Sequence, residues 1–440
     1  MTRFILSVAA GLLLGAGALL AGLLPSLLRT GQVAPLDWLA PGALAIAALL
    51  LLARRSEGRL SWRVPAAAWA LVALPILLLI LIAAARTPWG SIAGLAAGLA
   101  LAAGATGLAL RGRAMVGWPC LALLLAVAIG AQWSARSELE RTAPAGPVVG
   151  VMSALPLQGP ALDRGDRADP LDGVGARSPL WHVLERSVVL RPLDALDAAS
   201  LAGIDRLLLA QPRLLAPEEL VALDDWMRTG GRAVILADPL LHWPDARPLG
   251  DPRRPPLTSL LDPLLAHWGL RLEPGQFDVG PDPVERRLLA GGAMLQLAGA
   301  SRFALMGSHG AQCRLAEGAL MARCAIGDGQ ALLIADADWI NDALWTLDPD
   351  HPGARAAWTG DAIPALIGWL SGNSWEVDSG LIWLIDQNRL ISAIRFAFLL
   401  AVPLTFLYGR SCVGSMIKGL EMMIFPAQKR NKKGLFADSG

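Results

Sequence analysis

Two apolar runs in this 440-residue chain each end in aspartate. Gly230–Pro239 reads GGRAVILADP and Gly327–Asp338 reads GDGQALLIADAD, so a glycine turn, an apolar run and Ala-Asp occur twice. Ligands of open parallel sheets bind outside the carboxyl ends of the strands, where Asp238, Asp336 and Asp338 would lie. These carboxylates could bind a ligand or serve a hydrolase. They could instead cap the turns that follow, and the Asp238-Pro239 pair favours capping over ligand binding.

No partner for catalysis is evident near these aspartates. A cysteine or serine nucleophile needs a strand-to-helix elbow and a nearby base. The sequence has no GxSxG, and Ser153 falls within the first predicted strand. None of the four cysteines follows an apolar parallel strand: Cys120, Cys313, Cys324 and Cys412. We therefore predict no catalytic residues.

Metal and nucleotide motifs are also missing from the sequence. The five histidines show neither HxxxH nor HxH spacing, there is no CxxC, and no GxxxxGK[ST] loop could hold ATP. We predict no cofactor and no metal, although ligands assembled in space from distant parts of the chain remain an alternative.

The composition is that of a membrane protein. Hydrophobic residues make up 54% of the chain and charged residues 17%, against roughly 25% in soluble domains. Residues 1–133 are almost continuously apolar, whereas residues 134–390 resemble a globular domain. The net charge of +1 argues against a nucleic-acid partner.

We predict five transmembrane helices before the globular domain and one after it, since a span needs roughly 20 apolar residues. Their expected bounds are 4–28, 36–53, 64–85, 90–110, 114–133 and 391–409. The first could instead be a signal peptide, but its uncharged stretch exceeds the roughly 7–15 apolar residues of such a peptide.

Basic residues predict the orientation, because cytoplasmic loops carry the excess of Lys and Arg. The loops after the second and fourth spans and the tail 410–440 are basic, while the loops on the other side carry only Arg29 and Arg86. Both termini should be cytoplasmic, and 134–390 should lie outside the cytoplasm.

The globular domain alternates apolar strands and helices. Strands at 203–212 and 232–239 flank an amphipathic helix at 216–231, an order that requires a crossover and a parallel, three-layered sheet. A later stretch, AQCRLAEGALMARCAI, predicts a hairpin. A turn centred on Gly318 and Ala319 would place Cys313 opposite Cys324, so we predict a disulfide in an oxidising compartment.

The stretch DRLLLAQP…LAPEELVALDDWMRTGGRAVILADP resembles the gliding-motility-type ABC-transporter auxiliary family (GldG-like), and GDGQALLIADADWIND resembles a later stretch of that family. The resemblance covers roughly 147–375. It implies a flavodoxin-like, class I glutamine-amidotransferase-like α/β fold without the amidotransferase chemistry. It also implies an ABC ATPase and a permease as partners in a bacterial inner membrane. The family commonly has one N-terminal anchor, whereas five spans are predicted here.

These observations favour a non-enzymatic, multi-pass accessory subunit of an ABC-type export or transport system. Its outward domain would bind a substrate or an envelope partner, with Asp238, Asp336 and Asp338 marking a possible binding edge. Two alternatives remain at this point. One is an extracytoplasmic hydrolase that uses the strand-end carboxylates, and the other is an envelope scaffold or sensor with no transport role.

Overall fold

The chain divides into two compact units in a computed structural model. One unit comprises residues 1–135 together with 382–440, and the other comprises residues 136–381. The structure describes residues 2–57, 60–136, 146–158, 177–245, 247–251, 253–275, 284–307, 310–372 and 379–424.

The first unit is helical. Its helices are α1 (Thr2–Leu23), α2 (Leu39–Glu57), α3 (Arg63–Ala83), α4 (Trp89–Leu110), α5 (Ala114–Arg136) and a C-terminal helix (Gln387–Ile424). Six helices in the described part of the chain are long and apolar enough to cross a membrane. Long apolar helices at both ends of the chain were expected from the sequence, and they agree with a membrane protein.

The first helix is shorter than the predicted span. It ends at Leu23, and the chain then turns through residues 24–30, whereas the prediction extended the span to residue 28. Pro25 lies two residues beyond the end of the helix, and proline removes a backbone donor and disfavours a helical conformation in the residue before it, here Leu24.

Close packing and a few polar contacts hold the helices together. The C-terminal helix packs on α1 and α3. The Tyr408 hydroxyl donates to Leu49 O at 2.8 Å, and the Trp38 indole donates to Leu19 O at 3.0 Å. A Cβ on Gly98 would lie 2.7 Å from the Leu39 side chain, so glycine permits the approach of α4 to α2.

The second unit is an α/β domain. Its helices are α6 (Pro179–Leu184), α7 (Pro217–Arg228), α8 (Asp262–His267), α9 (Asp342–Trp345) and α10 (Ala362–Ser371). Its strands are β1 (Val148–Ser153), β2 (Val189–Pro192), β3 (Arg206–Ala210), β4 (Arg232–Leu236), β5 (Leu270–Glu273), β6 (Val284–Leu288), β7 (Met294–Ala298), β8 (Arg302–Leu305), β9 (Gln312–Ala316), β10 (Met321–Ile326) and β11 (Gly329–Ile334).

Seven of these strands form the main sheet in the order β2-β1-β3-β4-β11-β10-β9. The first five strands in that order are parallel, and β10 and β9 extend one edge in antiparallel fashion. The sheet is therefore mixed, because the predicted hairpin joins the parallel strands. The pairs β5–β8 and β6–β7 form two small separate sheets.

Apolar side chains cover both faces of the main sheet. Leu207, Leu209 and Ile235 share a core with Leu223 and Met227 of α7. The alternate residues of β3 and β4 point to the other face, where α10 contacts both strands. Helices on both faces of a mostly parallel sheet make three layers, and the strands are accordingly apolar on both sides.

Helix α7 shows how local sequence defines an element of this domain. Pro217 begins the helix, and the Glu219 carboxylate accepts the Ala216 N–H at 2.8 Å. The predicted helix ran to residue 231 but the observed one ends at Arg228, because Gly230 takes a left-handed φ of 106°. The chain then enters β4 directly.

Candidate functional site

The register of two neighbouring strands brings the aspartates together. Strand β11 pairs in parallel with β4, with Leu236 opposite Ile334. An alanine and then an aspartate follow each strand, and Ala237 N donates to Ile334 O at 3.0 Å. Asp238 and Asp336 therefore lie at equivalent positions on the carboxyl edge of the sheet.

Asp338 completes a compact cluster of three carboxylates. One carboxylate oxygen from each of Asp238, Asp336 and Asp338 lies within 4.8 Å of the other two. Their relative exposures are 0%, 0% and 1%. Among the described residues, this is the one group of three or more His, Cys, Asp or Glu side chains close enough to share a cation.

Backbone N–H groups surround the cluster. Asp336 Oδ1 accepts from Asp338 N at 2.7 Å and from Trp339 N at 3.1 Å, the first two N–H groups of the short 3-10 helix that starts at Asp338. Its Oδ2 accepts from Ala298 N at 3.0 Å, at the end of β7. Asp336 therefore satisfies N–H groups at the start of that helix and ties one of the small sheets to the end of β11.

The other two aspartates make similar contacts. Asp238 accepts from Leu240 N at 2.8 Å, two residues ahead, and from Ala337 N at 3.0 Å, across the β4–β11 pair. Asp338 Oδ2 accepts from His242 N at 2.8 Å. The carboxyl groups of Asp338 and Asp238 also form a side-chain hydrogen bond with each other.

Burial and mutual repulsion disfavour the charged forms of these groups. Burial raises the pKa of Asp338 to about 7 against the hydrogen bond from His242 N, and the neighbouring Asp238 carboxylate raises it further. Burial, followed by the charges of Asp238 and Asp338, raises the pKa of Asp336 well above its usual range. Burial also raises the pKa of Asp238, although two backbone N–H groups oppose the shift.

Gln211 also lies at the carboxyl edge of the sheet, although the sequence patterns did not predict it. It follows β3 as the aspartates follow β4 and β11, is fully buried, and has a left-handed φ of 42°. Its amide oxygen accepts from Asp238 N at 2.9 Å, and its amide nitrogen donates to Asp238 O and Pro256 O, both at 3.0 Å. Its position as a polar residue directly after an apolar strand is the sequence feature that could have indicated this role.

The other candidate groups lie apart from the aspartates. Ser153 ends β1, where its hydroxyl donates to Ala210 O at 2.8 Å. The His267 imidazole lies 3.5 Å from Asp224, and that of His351 lies 3.3 Å from Asp348. His309 lies outside the described residues. Among the described residues, the carboxylate cluster includes no histidine or cysteine side chain.

A shallow groove of about 620 Å³ lies on the outer side of α7. Its lining includes Leu201, Pro217, Val221 and Trp226 and none of the three aspartates. The groove and the carboxylate cluster are therefore separate features.

The two cysteines of the hairpin face each other. Strand β10 pairs with β9 in the register that places Cys324 opposite Cys313, as the sequence suggested, and the Cα atoms are 4.0 Å apart. The sulfur atoms lie at bonding distance, 1.95 Å. Gly318 and Ala319 form the turn with φ values of 65° and 71°. The oxidation state of the pair in the cell stays a prediction.

A family model matches part of this domain. Residues 147–280, or 134 of 440, match the model of ABC-transport auxiliary proteins, described as an ABC-type uncharacterized transport system. The match includes Gln211 and Asp238 and ends before Asp336 and Asp338. It supports a relationship to the ABC-transporter auxiliary family and, together with the apolar helices, fits a membrane accessory component.

Other comparisons add little. No curated protein matches the chain. The exo-β-1,4-mannosidase Op5Man5 from Opitutaceae bacterium strain TAV5 shares 13% identity over 50% of this chain and 34% of its own, with a TM-score of 0.25. A β-galactosidase from Bacillus circulans sp. alkalophilus shares 12% identity over 51% and 33%, with a TM-score of 0.23. The chain spans about a third of these enzymes, and such scores support no argument about fold or activity.

Proposed function

We propose that the chain is a multi-pass accessory subunit of an ABC-type transport or export system, related to the GldG-like group. The observation that carries this proposal is the family match over 147–280, within a chain that also has six long apolar helices. Because the sequence has no P-loop lysine motif, ATP hydrolysis would come from a partner ATPase, and the apolar helices would dock on a partner permease.

We further propose five spans before the domain and one after it, in a bacterial inner membrane, with both termini cytoplasmic. The basic loops and tail support this orientation. In this topology residues 134–390 are periplasmic. The facing pair of Cys313 and Cys324 supports the same placement, because disulfides persist in oxidising compartments.

The strand order supports a flavodoxin-like, amidotransferase-like domain. In chain order the five parallel strands are β1, β2, β3, β4 and β11, and their spatial order corresponds to the 2-1-3-4-5 arrangement of flavodoxin-like sheets. The carboxyl edge at Gln211, Asp238 and Asp336 is then the edge at which this type of sheet binds ligands.

A non-enzymatic role agrees best with the burial and the hydrogen bonds of the three carboxylates. Asp238 and Asp336 have both oxygens engaged by backbone N–H groups, and all three aspartates are at most 1% exposed. A substrate could not touch them without rearrangement of the edge, which argues against a hydrolase. The domain would instead present its surface to a transported substrate or an envelope partner.

Affinity purification from native membranes tests the transport role. The tagged chain, solubilised in mild detergent, should recover an ATPase that contains a P-loop and a polytopic permease. A tagged, unrelated polytopic protein at the same expression level should recover neither. Recovery of envelope proteins alone would contradict the proposal and support a scaffold or sensor.

A further inference from the structure

The groove on the outer side of α7 combines an apolar lining with an acidic rim. It has a volume of about 620 Å³ and is lined mostly by apolar side chains of α7 and of the turn at 198–202, together with Glu218 and Asp225. We propose that this groove binds a helix of a partner protein in which two basic residues flank an apolar stripe. The inference does not depend on the transport role.

Helix α7 exposes an apolar residue at the centre of this face. Leu223 and Met227 are buried on the inner side of the helix, whereas Val221 is 61% exposed. Ala222 continues the apolar wall beside Val221, and Leu201 lies in the turn on the other side of the groove. Removal of this surface from water by an apolar partner would be favourable.

Trp226 supplies a fixed aromatic side chain near the C-terminal end of α7. A Cβ on Gly231 would lie 2.4 Å from the Trp226 ring, so the ring lies directly against the backbone of Gly231. Within the part of the chain that the structure describes, its indole N–H donates to no acceptor. A tryptophan that is held in place and retains a donor is typical of the residues that dominate binding at protein interfaces.

The charge of the groove indicates the chemistry of the partner. Glu218 and Asp225 are exposed, and neither makes an ion pair or a side-chain hydrogen bond with another described residue. Their neighbours Glu219 and Asp224 are each paired with an arginine, and the Arg191 guanidinium at the opposite wall donates to a backbone carbonyl. Two unpaired carboxylates favour a basic partner and disfavour the surface of an anionic membrane.

The spacing of the two carboxylates fits a helix. Glu218 and Asp225 are seven positions apart, which places them on one face of α7 and about 10.5 Å apart along its axis. Val221 and Ala222 lie between them. Two basic residues seven positions apart on a partner helix have the same separation, and the residues three and four positions after the first lie between them, where apolar side chains would enter the groove.

Two other occupants fit the groove less well. Small-molecule sites enclose most of the surface of their ligand, whereas this groove is shallow and open along α7. A second copy of the chain offers no matching helix from its α/β unit, because none of the described helices of that unit carries two basic residues seven positions apart. A helix of another protein remains the best fit.

Binding of a designed peptide tests the inference. The probe is a labelled, alanine-rich helical peptide with two lysines seven positions apart and leucines three and four positions after the first lysine. Fluorescence anisotropy is measured against the full-length chain in nanodiscs of zwitterionic lipid, with empty nanodiscs as the blank. We expect saturable binding with a dissociation constant below about 1 mM. The same peptide with glutamate at both lysine positions should bind roughly tenfold more weakly.

Variants in the groove separate docking from general attraction. Asp225→Lys should weaken binding of the lysine peptide and strengthen binding of the glutamate peptide, a reversal that partial unfolding would not produce. Val221→Ser removes apolar contact and should weaken binding of both peptides severalfold. The control is Asp350→Lys, which makes the same change in charge at an exposed position outside the groove and should bind both peptides as the wild type does.

Three results would overturn the proposal. They are the absence of saturable binding of the lysine peptide, equal binding of the two peptides by the wild-type chain, and equal effects of Asp225→Lys and Asp350→Lys. If Asp225→Lys does not fold, the comparison of the two peptides on the wild-type chain decides. None of these results affects the recovery of an ATPase and a permease, which tests the transport role separately.

Discussion

The pair Cys313 and Cys324 supplies a prediction that links structure to cellular location. Replacing both with serine removes a cross-link between the facing strands β9 and β10. If the pair is oxidised in the cell, the α/β unit should become less stable. If the domain faced the reducing cytoplasm, the same substitutions would change stability far less.

The size of the effect follows from the loop that the bond closes. The cysteines are separated by 11 positions in sequence. Loop-closure entropy for about 12 residues corresponds to about 3 kcal/mol at 25 °C in the chain-entropy model. For a domain of 150–250 residues, each kcal/mol shifts the unfolding midpoint by roughly 2–4 °C, so a decrease of roughly 6–12 °C is expected.

The assay has a chemical and a thermal part. Membranes are quenched with an alkylating agent before lysis, the protein is then unfolded with more of the agent, and intact mass spectrometry should show two alkylated cysteines without reductant and four after reduction. Near-ultraviolet circular dichroism then follows thermal unfolding. The control replaces Cys120 and Cys412, which are unbridged, and should retain the wild-type midpoint. Four alkylated cysteines in unreduced, unfolded protein would refute the reasoning.

Three further predictions concern electrostatics and topology. Burial raises the pKa of Asp342 to about 6, so its folded-state pKa exceeds its unfolded value and stability is lost as pH rises from about 4 to about 6. Asp342→Asn should therefore be more stable than wild type at pH 8, by up to about 3 kcal/mol, and lose that advantage at pH 4; a difference that does not vary with pH would contradict this. The Arg213 hydrogen bond lowers the pKa of Glu219 to about 2, so its contribution is present above pH 4.5 and lost as pH falls towards 2. Because the Arg213 side chain is 48% exposed, Glu219→Gln should lower the free energy of unfolding in urea at pH 7 by only about 1–2 kcal/mol. The control variant at the exposed Glu218, Glu218→Gln, should keep a free energy of unfolding near that of the wild type. In a chain lacking Cys120 and Cys412, an impermeant maleimide should label Asp328→Cys in intact cells but Arg113→Cys only after permeabilisation; the reverse pattern would invert the proposed topology.

Local sequence patterns predicted much of the architecture. Apolar runs bounded by glycine and proline indicated β3 and β4, and helical spacing indicated α7. The turn at Gly318 and Ala319 was sufficient to predict the register of the β9–β10 hairpin. These features depend on residues close together in the chain, which is where pattern arguments are strongest.

Contacts between distant residues were beyond those patterns. The pairing of β11 with β4 joins segments about a hundred residues apart, and nothing in either run specifies its neighbour. The convergence of Asp338 with Asp238 follows from that pairing. The role of Gln211 depends on a left-handed backbone conformation that is uncommon for glutamine.

The central claim is that this chain works within an ABC-type transport complex, and cross-linking in native membranes tests it most directly. Membranes are treated with a lysine- and carboxylate-reactive cross-linker before solubilisation, and linked peptides are identified by mass spectrometry. The account predicts links from this chain to a polytopic permease, and recovery of a P-loop ATPase in the same complex. Abundant links within this chain, with none to a permease and no ATPase in the complex, would contradict it.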